Sequence, residues 1–367
     1  MKLRAKGKPI NIKKLSVGKV FFIDPNREFI RIQSVENEII EIRKFQDDKI
    51  EKQIFNVQNI EDFNLDDIIS VNTLGGINNL YRKNSYQNTL LFTERCNSNC
   101  LMCSQPPKDK DDTNVWYYLH SKTIPLIPKD CHEIGISGGE PTILGENFFN
   151  LVQLITNELP DTSVHILTNG RNFAKNELAE RLGKINNRNM MLGIPLYSDF
   201  YQQHDYIVQA KNAFYQTILG LHNLNRYDVR LEIRVVLHKL TIDRLIELSK
   251  YIFKNLPFVE HVTFMGLEYI GYTPHNFEKL WIDPYYYKDK LQEAVLYLAN
   301  KGMRVSIYNT PLCLLNKESW DFAKKSISDW KNEYADECLT CSVKEQCGGF
   351  FRWNLKTKGD FIQPILN

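Results

Sequence analysis

The sequence predicts an α/β fold in which a partial, TIM-like (β/α)6 barrel follows a small N-terminal β domain and precedes a C-terminal cysteine-rich domain. Three observations lead to this prediction. Short alternating apolar runs occupy residues 1–84, strand-like and helix-like patterns alternate over residues 85–275, and four cysteines are grouped within residues 276–367. Alternating strands and helices specify a parallel sheet with right-handed crossovers, so we expect the barrel in the middle of the chain.

The N-terminal region is predicted to be β-rich because its apolar residues alternate with polar ones and turn-forming residues such as Asp24-Pro25-Asn26 separate the runs. The runs are Lys19–Ile23, Phe29–Val35 and Ile39–Phe45. Gly75-Gly76 and the polar stretch to Gln87 predict a linker. An exposed edge of such a sheet can bind a peptide by strand addition, so we expect substrate or partner binding here.

The central region shows six strand patterns with helical patterns between them. The strands are predicted near 89–93, 132–137, 163–168, 190–197, 229–237 and 260–265. Helical patterns include Glu146–Leu159, Asn176–Leu182, Asn212–Leu224 and Ile242–Phe253. Six units are too few to close an eight-stranded barrel but enough for a curved partial barrel.

Composition is that of an ordinary globular protein, with 43% hydrophobic and 25% charged residues. A net charge of +2 gives no strong field for a long nucleic acid. No stretch has the length of a membrane span or the pattern of a signal peptide, so we expect a cytoplasmic protein without a membrane partner. Seven of the eight cysteines fall in two groups, which favours metal binding in a reducing compartment. The eighth, Cys131, is predicted to be a core residue.

Cys96, Cys100 and Cys103 form a C-x3-C-x2-C loop directly after an apolar strand. Three thiolates can hold a 4Fe–4S cluster while leaving one iron open to another ligand. The alternatives are a zinc site and reduced core thiols. Zinc sites favour C-x2-C pairs and need a fourth ligand nearby, and the next histidine downstream is His120. The spacing therefore predicts an iron–sulfur cluster with a chemical role.

Placed directly after the apolar strand Thr89–Phe92, this loop resembles the cluster loop of radical S-adenosylmethionine (SAM) enzymes. The resemblance implies a partial barrel and an open iron that binds the amine and carboxylate of SAM. It also implies that one-electron reduction cleaves SAM to methionine and a 5'-deoxyadenosyl radical, which abstracts a hydrogen atom from an unactivated position. Met102 stands where the family usually has an aromatic residue, and we expect it to pack beside the cofactor.

Ser137-Gly138-Gly139-Glu140-Pro141 follows the second predicted strand and resembles the family's Gly-Gly-Glu-Pro motif. Adjacent glycines let the backbone approach a ligand closely, and the glutamate supplies a charged acceptor. The resemblance implies that Gly138, Gly139, Glu140 and Pro141 form the loop that holds the SAM ammonium group. Alone, the motif would be read as a turn.

Further cofactor contacts are predicted at the ends of later strands, where parallel barrels gather their active-site loops. The resemblance places Asn169, in Thr168-Asn169-Gly170, near the ribose of SAM, although a plain turn fits the sequence equally well. It also places Ser198 after the fourth strand and Arg234 in the fifth as SAM-binding residues. For Arg234 the alternatives are the SAM carboxylate and a structural salt bridge, because a charge inside an apolar strand needs a partner. The His204-Asp205 pair is interpreted as scaffold.

The second cysteine group comprises Cys338, Cys341 and Cys347 in a C-x2-C-x5-C run, with Cys313 upstream as a fourth ligand. Four thiolates suit either zinc or an iron–sulfur cluster. The segment resembles the twitch and SPASM regions of peptide-modifying radical SAM enzymes, which implies a second, auxiliary 4Fe–4S cluster that serves electron transfer.

The run Cys96–Pro107 and the C-terminal Cys-Gly-Gly-Phe-Phe resemble HxsC-type radical SAM maturases of His-Xaa-Ser systems. This implies an oxidoreductase that modifies a ribosomally synthesised peptide or protein substrate. It further implies a companion radical SAM maturase and a low-potential electron donor such as flavodoxin or ferredoxin. Two alternatives stay open: radical SAM chemistry on a nucleotide or RNA base, and a non-catalytic iron–sulfur partner of the companion maturase. SAM cleavage by this chain alone would exclude the last.

Overall fold

The computed structural model describes residues 4–326 and 331–366 of the chain, which form two compact units. The first unit holds the described residues up to Phe92 together with 112–136 and 146–163. The second unit holds 93–111, 137–145 and the described residues from Val164 onward. Among the helices in the described ranges, none combines the length and apolarity needed to cross a membrane.

Residues 4–81 form an eight-stranded sheet that belongs to the first unit. The strands are β1 (Arg4–Lys6), β2 (Lys8–Ile10), β3 (Ser16–Ile23), β4 (Phe29–Ser34), β5 (Ile39–Arg43), β6 (Gln53–Phe55), β7 (Ile68–Val71) and β8 (Gly76–Tyr81). Their order along the sheet is β1-β8-β7-β3-β4-β5-β6-β2. The β-rich character predicted for this region is therefore present.

The sheet closes on itself because its two end strands are consecutive in the chain. β1 pairs with β8, β2 pairs with β6, and only Gly7 separates them. A Cβ atom on Gly7 would lie 2.4 Å from the carbonyl oxygen of Phe55, so only glycine fits at this junction. Peptide binding by strand addition at an edge of this sheet stays a proposal.

The interior of this small barrel is filled by aliphatic side chains. Ile30 and Ile32 of β4 and Ile40 and Ile42 of β5 are at most 1% exposed, as the alternating pattern requires. The predicted linker is also corrected here: Gly76–Tyr81 forms β8 and pairs with β7. Two glycines and polar residues concealed this strand, because its pairing depends on partners distant in sequence.

The first unit also contains a strand–helix–strand–helix segment. Its elements are β9 (Asn88–Leu91), α1 (Thr113–Thr123), β10 (Glu133–Ser137) and α2 (Glu146–Glu158). β9 and β10 are neighbours in their sheet. The long connection from β9 to α1 carries the first cysteine group, and the turn between β10 and α2 carries the Gly-Gly-Glu-Pro sequence.

The second unit is built on parallel strands that pair in chain order. The strands are β11 (Ser163–Leu167), β12 (Met190–Pro195), β13 (Arg230–Leu237), β14 (His261–Gly266), β15 (Arg304–Tyr308) and β16 (Ala323–Lys324). The helices are α3 (Asn176–Lys184), α4 (Tyr201–Val208), α5 (Ala213–Arg226), α6 (Lys239–Ile242), α7 (Leu245–Asn255), α8 (Phe277–Leu280) and α9 (Lys288–Asn300). The α/β class and the parallel sheet predicted from the sequence are confirmed.

Strands β15 and β16 were not predicted, yet β15 pairs with β14 and β16 pairs with β15. β15 has only five residues and follows the helix α9, so its apolar run is too short to stand out. Beyond β16 the chain forms short 3-10 helices around a small apolar cluster that contains Leu314, Phe350 and Ile362. The division into domains at residues 84 and 275 stays a proposal.

Candidate functional site

The loop that carries Cys96, Cys100 and Cys103 is fixed by backbone hydrogen bonds in the second unit. Asn99 and Leu101 donate their N–H groups to the carbonyl oxygens of Val208 and Ile207 at the end of α4, each at 3.0 Å. Tyr272 donates its N–H to the carbonyl oxygen of Cys103 at 2.9 Å. The cysteine loop is thus held by two other segments of the chain.

Gly271 allows the close approach beside Cys103. Its φ is +65°, and a Cβ atom would lie 2.1 Å from the carbonyl oxygen of Cys103. Met102 is buried and packs with Leu101, Tyr197 and Leu280. The residue before the third cysteine therefore fills an apolar layer behind the loop, as a flexible thioether can.

The three thiols interact electrostatically. Burial, followed by the negative charge of Glu140, raises the pKa of Cys96 to about 11. Burial and the neighbouring Cys103 and Cys96 raise the pKa of Cys100 further. These interactions oppose joint ionisation of the three thiols, and a bound metal cluster would compensate by displacing their protons. The donor set fits an iron–sulfur cluster held by three thiolates.

Gly138 and Gly139 lie directly against the chain that leaves β9. A Cβ atom would lie 2.5 Å from the carbonyl oxygen of Thr93 at Gly138 and 2.0 Å from that of Arg95 at Gly139. Gly139 and Glu140 donate their N–H groups to the same two carbonyls, at 2.9 and 2.8 Å. The glycine pair therefore anchors this loop to the base of the cysteine loop, where side chains would prevent contact.

Glu140 is completely buried and joins two loops. One carboxylate oxygen accepts hydrogen bonds from the N–H and hydroxyl of Thr142 (3.1 and 2.6 Å) and from the hydroxyl of Thr168 (2.7 Å). The other accepts from the N–H of Asn169 at 2.7 Å. Burial raises its pKa, while these hydrogen bonds oppose the shift. Its contacts thus organise the loops that follow β10 and β11, and Pro141 begins a 3-10 helix directly behind it.

Asn169 and Arg171 connect the loop after β11 to the cysteine loop. The amide of Asn169 donates to the side-chain oxygen of Asn97 at 2.6 Å. Arg171 donates through Nη1 to the carbonyl oxygen of Asn97 and to the hydroxyl of Ser98, the latter at 2.9 Å. Arg171 was missed from the sequence. Its position two residues after the predicted Asn169 at the same strand end was the available signal.

Ser198 lies in a buried turn where its hydroxyl is engaged on both sides. It donates to the side-chain oxygen of Gln203 at 2.7 Å and accepts from the N–H of Phe200 at 3.1 Å. His204 accepts the N–H of Tyr197 through Nδ1 at 3.2 Å, and burial lowers its pKa to about 3. Asp205 accepts the N–H of Phe214 at 2.8 Å. These contacts agree with a scaffold role for the His-Asp pair.

Arg234 forms an ion pair with Glu232 in the same strand, with Nη1 2.7 Å from Oε1. Two residues apart in a strand, both side chains extend to the same face. The structural salt bridge is therefore present in the fold, and the Arg234 side chain as a whole is 23% exposed. The sequence signal for this pair is Glu232 itself, a second charge in the same apolar strand.

Glu232 has further partners on neighbouring strands. It accepts a hydrogen bond from the Thr263 hydroxyl at 3.2 Å and contacts His261 Nδ1 at 3.3 Å. His165 Nε2 lies 3.7 Å away. Gly193 on the intervening strand makes room, because a Cβ atom there would lie 2.8 Å from Cδ of Arg234. Burial raises the pKa of Glu232, but the His261 contact and the charge of Arg234 outweigh it and hold the pKa at about 2.

Replacing Glu232 with glutamine should lower the free energy of unfolding by about 3 kcal/mol at pH 7, the value of a pKa lowered from 4.5 to about 2. A carboxyl whose folded-state pKa is depressed contributes its stability above the unfolded pKa, and loses it as the pH falls through the folded value. The difference in the free energy of unfolding between wild type and E232Q should therefore be constant from pH 7 to 5 and become smaller below about pH 4.5. Urea unfolding at several pH values measures it.

The matched control is Glu260→Gln, which breaks the ion pair with Arg230 at a site where both side chains are more than a third exposed (36% and 38%). Exposed pairs contribute little, so E260Q should cost under about 1 kcal/mol without this pH dependence. If the unfolding free energy of E232Q is close to that of wild type at pH 7, or if the difference does not change down to pH 3, the stabilising role of the Glu232 carboxylate is contradicted.

The four C-terminal cysteines, Cys313, Cys338, Cys341 and Cys347, line one cavity of the second unit. Backbone N–H groups of Leu312 and Gly349 donate to Sγ of Cys347, each at 3.4 Å, and that of Ile365 donates to Sγ of Cys341 at 3.5 Å. Such donors stabilise thiolates in metal sites. The donor set therefore fits a group held by four thiolates.

Glycine shapes this cavity. Gly349 has φ of +61°, and a Cβ atom there would lie 2.4 Å from the carbonyl oxygen of Glu333. Phe350 and Phe351 behind it are buried.

Cys131 belongs to the other unit, where its Sγ lies 3.6 Å from the carbonyl oxygen of Glu133. Across residues 4–326 and 331–366, no three side chains of His, Cys, Asp or Glu are grouped as ligands of a single metal ion.

Comparison with known proteins gives a family match and several fold likenesses. Residues 90–252 match the sequence model of the radical SAM superfamily. No curated protein matches the chain by sequence.

Crystal structures of Streptococcus suis SuiB are similar to this chain at low identity. The first is 18% identical with a TM-score of 0.47, over 61% of this chain and 49% of that chain. SuiB bound to S-adenosylmethionine is 15% identical with a TM-score of 0.48, over 70% and 55%. This chain thus spans about half the length of SuiB. Native anSMEcpe with bound AdoMet is 17% identical with a TM-score of 0.42, over 60% and 62%.

Proposed function

Since residues 90–252 match the radical SAM superfamily, we propose that this chain is a radical SAM enzyme that modifies a ribosomally synthesised peptide. The observation that carries the proposal is the cysteine loop, held against the Gly138-Gly139 turn by paired backbone hydrogen bonds. A 4Fe–4S cluster and SAM, when bound, supply hydrogen-atom abstraction after one-electron reduction. The residues of the chain bind these groups, orient them and exclude water.

The proposed roles follow the contacts of each residue. Cys96, Cys100 and Cys103 would hold the cluster, and the layer of Leu101, Met102 and Tyr197 would shield it from water. The Gly138-Gly139 turn presents backbone instead of side chains beside the cysteine loop, which suits the amine end of SAM. Glu140 would set the shape of that turn.

Asn169, Ser198 and Arg234 are proposed as further residues of the SAM site, each on a loop or strand of the second unit. A guanidinium carries five N–H donors and Arg234 uses Nη1 in its ion pair with Glu232, so it has donors left for a carboxylate. Ser198 uses its hydroxyl inside the fold, and its contribution would come through the turn that it stabilises.

The C-terminal cavity is proposed to hold an auxiliary 4Fe–4S cluster that serves electron transfer. Four cysteines around one cavity and three N–H donors to their sulfurs support this proposal over unligated core thiols. The peptide substrate rests on the resemblance of Cys96–Pro107 and of the Cys-Gly-Gly-Phe-Phe run to HxsC-type maturases. A companion maturase, a flavodoxin or ferredoxin donor and a binding role for the N-terminal β domain belong to the same proposal.

Cys347→Ala should halve the iron content of the anaerobically reconstituted protein, from about eight irons per chain to about four, because one of two cubane clusters loses a ligand. Cys131→Ala is the matched control, since Cys131 lies in the other unit, and it should leave the iron content unchanged. Iron and sulfide analysis measures both variants. Zinc in place of iron, or eight irons retained in C347A, would contradict the auxiliary cluster.

Peptide modification is tested with a synthetic peptide of His-Xaa-Ser repeats, SAM and dithionite under anaerobic conditions. We expect a change in peptide mass that requires SAM and is lost in Cys100→Ala. Production of 5'-deoxyadenosine without any change in this peptide, with or without a companion maturase, would retain the radical chemistry and reject the substrate class. No SAM cleavage by the chain alone would favour the non-catalytic alternative.

A further inference from the structure

The guanidinium of Arg171 touches the cysteine loop between two of its cysteines. Nη1 donates to the carbonyl oxygen of Asn97 and, at 2.9 Å, to the hydroxyl of Ser98. Nε donates to the side-chain oxygen of Gln216 on α5 at 2.8 Å. The guanidinium is therefore oriented from one side by a helix and bound on the other side to the cysteine loop.

The segment that Arg171 binds is the short link between Cys96 and Cys100. Ser98 is buried, and Asn97 is also held by the Asn169 amide at 2.6 Å. With only three residues between the cysteines, any change in the Asn97–Ser98 backbone moves both sulfur atoms. Arg171 thus contributes to the spacing of the thiolates.

The charge of Arg171 lies against the backbone between two of the cysteines. Its Nη1 contacts the Asn97 carbonyl and the Ser98 hydroxyl, which stand between Cys96 and Cys100 in the chain. A guanidinium keeps its charge at any accessible pH. Arg171 is therefore a fixed positive charge at the cysteine loop, held by a planar fork of hydrogen bonds.

We propose that Arg171 is a positioning residue that raises the reduction potential of the cluster held by Cys96, Cys100 and Cys103, an inference that rests on the proposed function. One-electron reduction adds a negative charge to the cluster. A nearby cation stabilises the reduced state, because net charge and hydrogen bonding around the sulfurs set such potentials. The same contacts keep the loop in register.

The test is an EPR-monitored redox titration of the full-length, reconstituted protein in the absence of SAM and peptide. Arg171→Gln should make one-electron reduction about tenfold less favourable, a negative shift of about 59 mV. Arg171→Lys retains the charge and should shift by less than a third of that amount. The matched control, Arg226→Gln, removes an exposed guanidinium that binds Asn176, and should leave the potential unchanged.

Each outcome decides between the alternatives. An unchanged potential in R171Q, or an equal shift in R226Q, would overturn the role of Arg171. If R171Q does not retain iron, the variant Gln216→Leu provides the test, because it keeps the charge of Arg171 but removes the hydrogen bond that anchors it. A smaller negative shift of the reduction potential in this variant supports the proposal. An unchanged potential rejects it. A wild-type protein without an iron–sulfur EPR signal would reject the proposed function itself.

Discussion

Replacing Cys100 with alanine should reduce 5'-deoxyadenosine production at least about 100-fold, because it removes one of the three thiolates of the SAM-binding cluster. Cys100 has the central place in the loop, between the other two cysteines and against the apolar layer of Leu101 and Tyr197. No neighbouring cysteine of the second group can replace it, since those four line a separate cavity. The product is measured by chromatography after anaerobic reduction with SAM.

Cys131→Ala is the control for this experiment. Cys131 is also half-buried, and its thiol contacts the Glu133 carbonyl in the first unit. It should retain wild-type 5'-deoxyadenosine production and iron content. Equal losses in both variants would indicate a general effect of cysteine removal, and full activity in C100A would show that the loop does not hold the catalytic cluster.

Replacing Glu140 with glutamine should lower SAM affinity at least about tenfold and destabilise the fold by about 2 kcal/mol. Each carboxylate oxygen accepts a backbone N–H, one from Thr142 and the other from Asn169. A backbone N–H can only donate a hydrogen bond. In either orientation of the glutamine amide, its NH2 group therefore faces one of these N–H groups and no hydrogen bond forms there. The loops after β10 and β11 would separate at the point where the SAM site is proposed.

Glu180→Gln is the control, because it removes a carboxylate that pairs with Lys184 on the surface of α3. It should change neither SAM affinity nor stability by more than a few tenths of a kcal/mol. Calorimetric titration with SAM and urea unfolding separate the two effects of E140Q. Wild-type affinity in E140Q would mean that the shape of the Gly-Gly-Glu-Pro turn does not depend on this buried carboxylate.

The sequence predicted the parts of the site that depend on local spacing. Residues 90–252 match the sequence model of the radical SAM superfamily, which is the superfamily that the Cys96–Cys103 loop and the Gly-Gly-Glu-Pro turn indicate. Local spacing suffices because both motifs need particular residue types a few positions apart: thiolates for iron, and glycines for close backbone approach. The alternating strands and helices gave the α/β class for the same reason.

The remaining features depend on pairing between distant segments. Arg171 acquires its role from contact with residues more than 70 positions earlier. Glu232 gathers partners from β11, β13 and β14, which only the register of the parallel strands brings together. Closure of the N-terminal sheet through Gly7 likewise depends on two strands that pair with opposite ends of one sheet. Neither periodicity nor composition encodes these relations.

Formation of 5'-deoxyadenosine by the wild-type chain, after anaerobic reconstitution and with SAM and dithionite but no other protein, decides whether this chain carries out radical SAM chemistry. We expect 5'-deoxyadenosine together with about eight irons and matching sulfide per chain. Zinc in the purified protein with no 5'-deoxyadenosine would contradict it, because the first cysteine loop would then be a structural metal site.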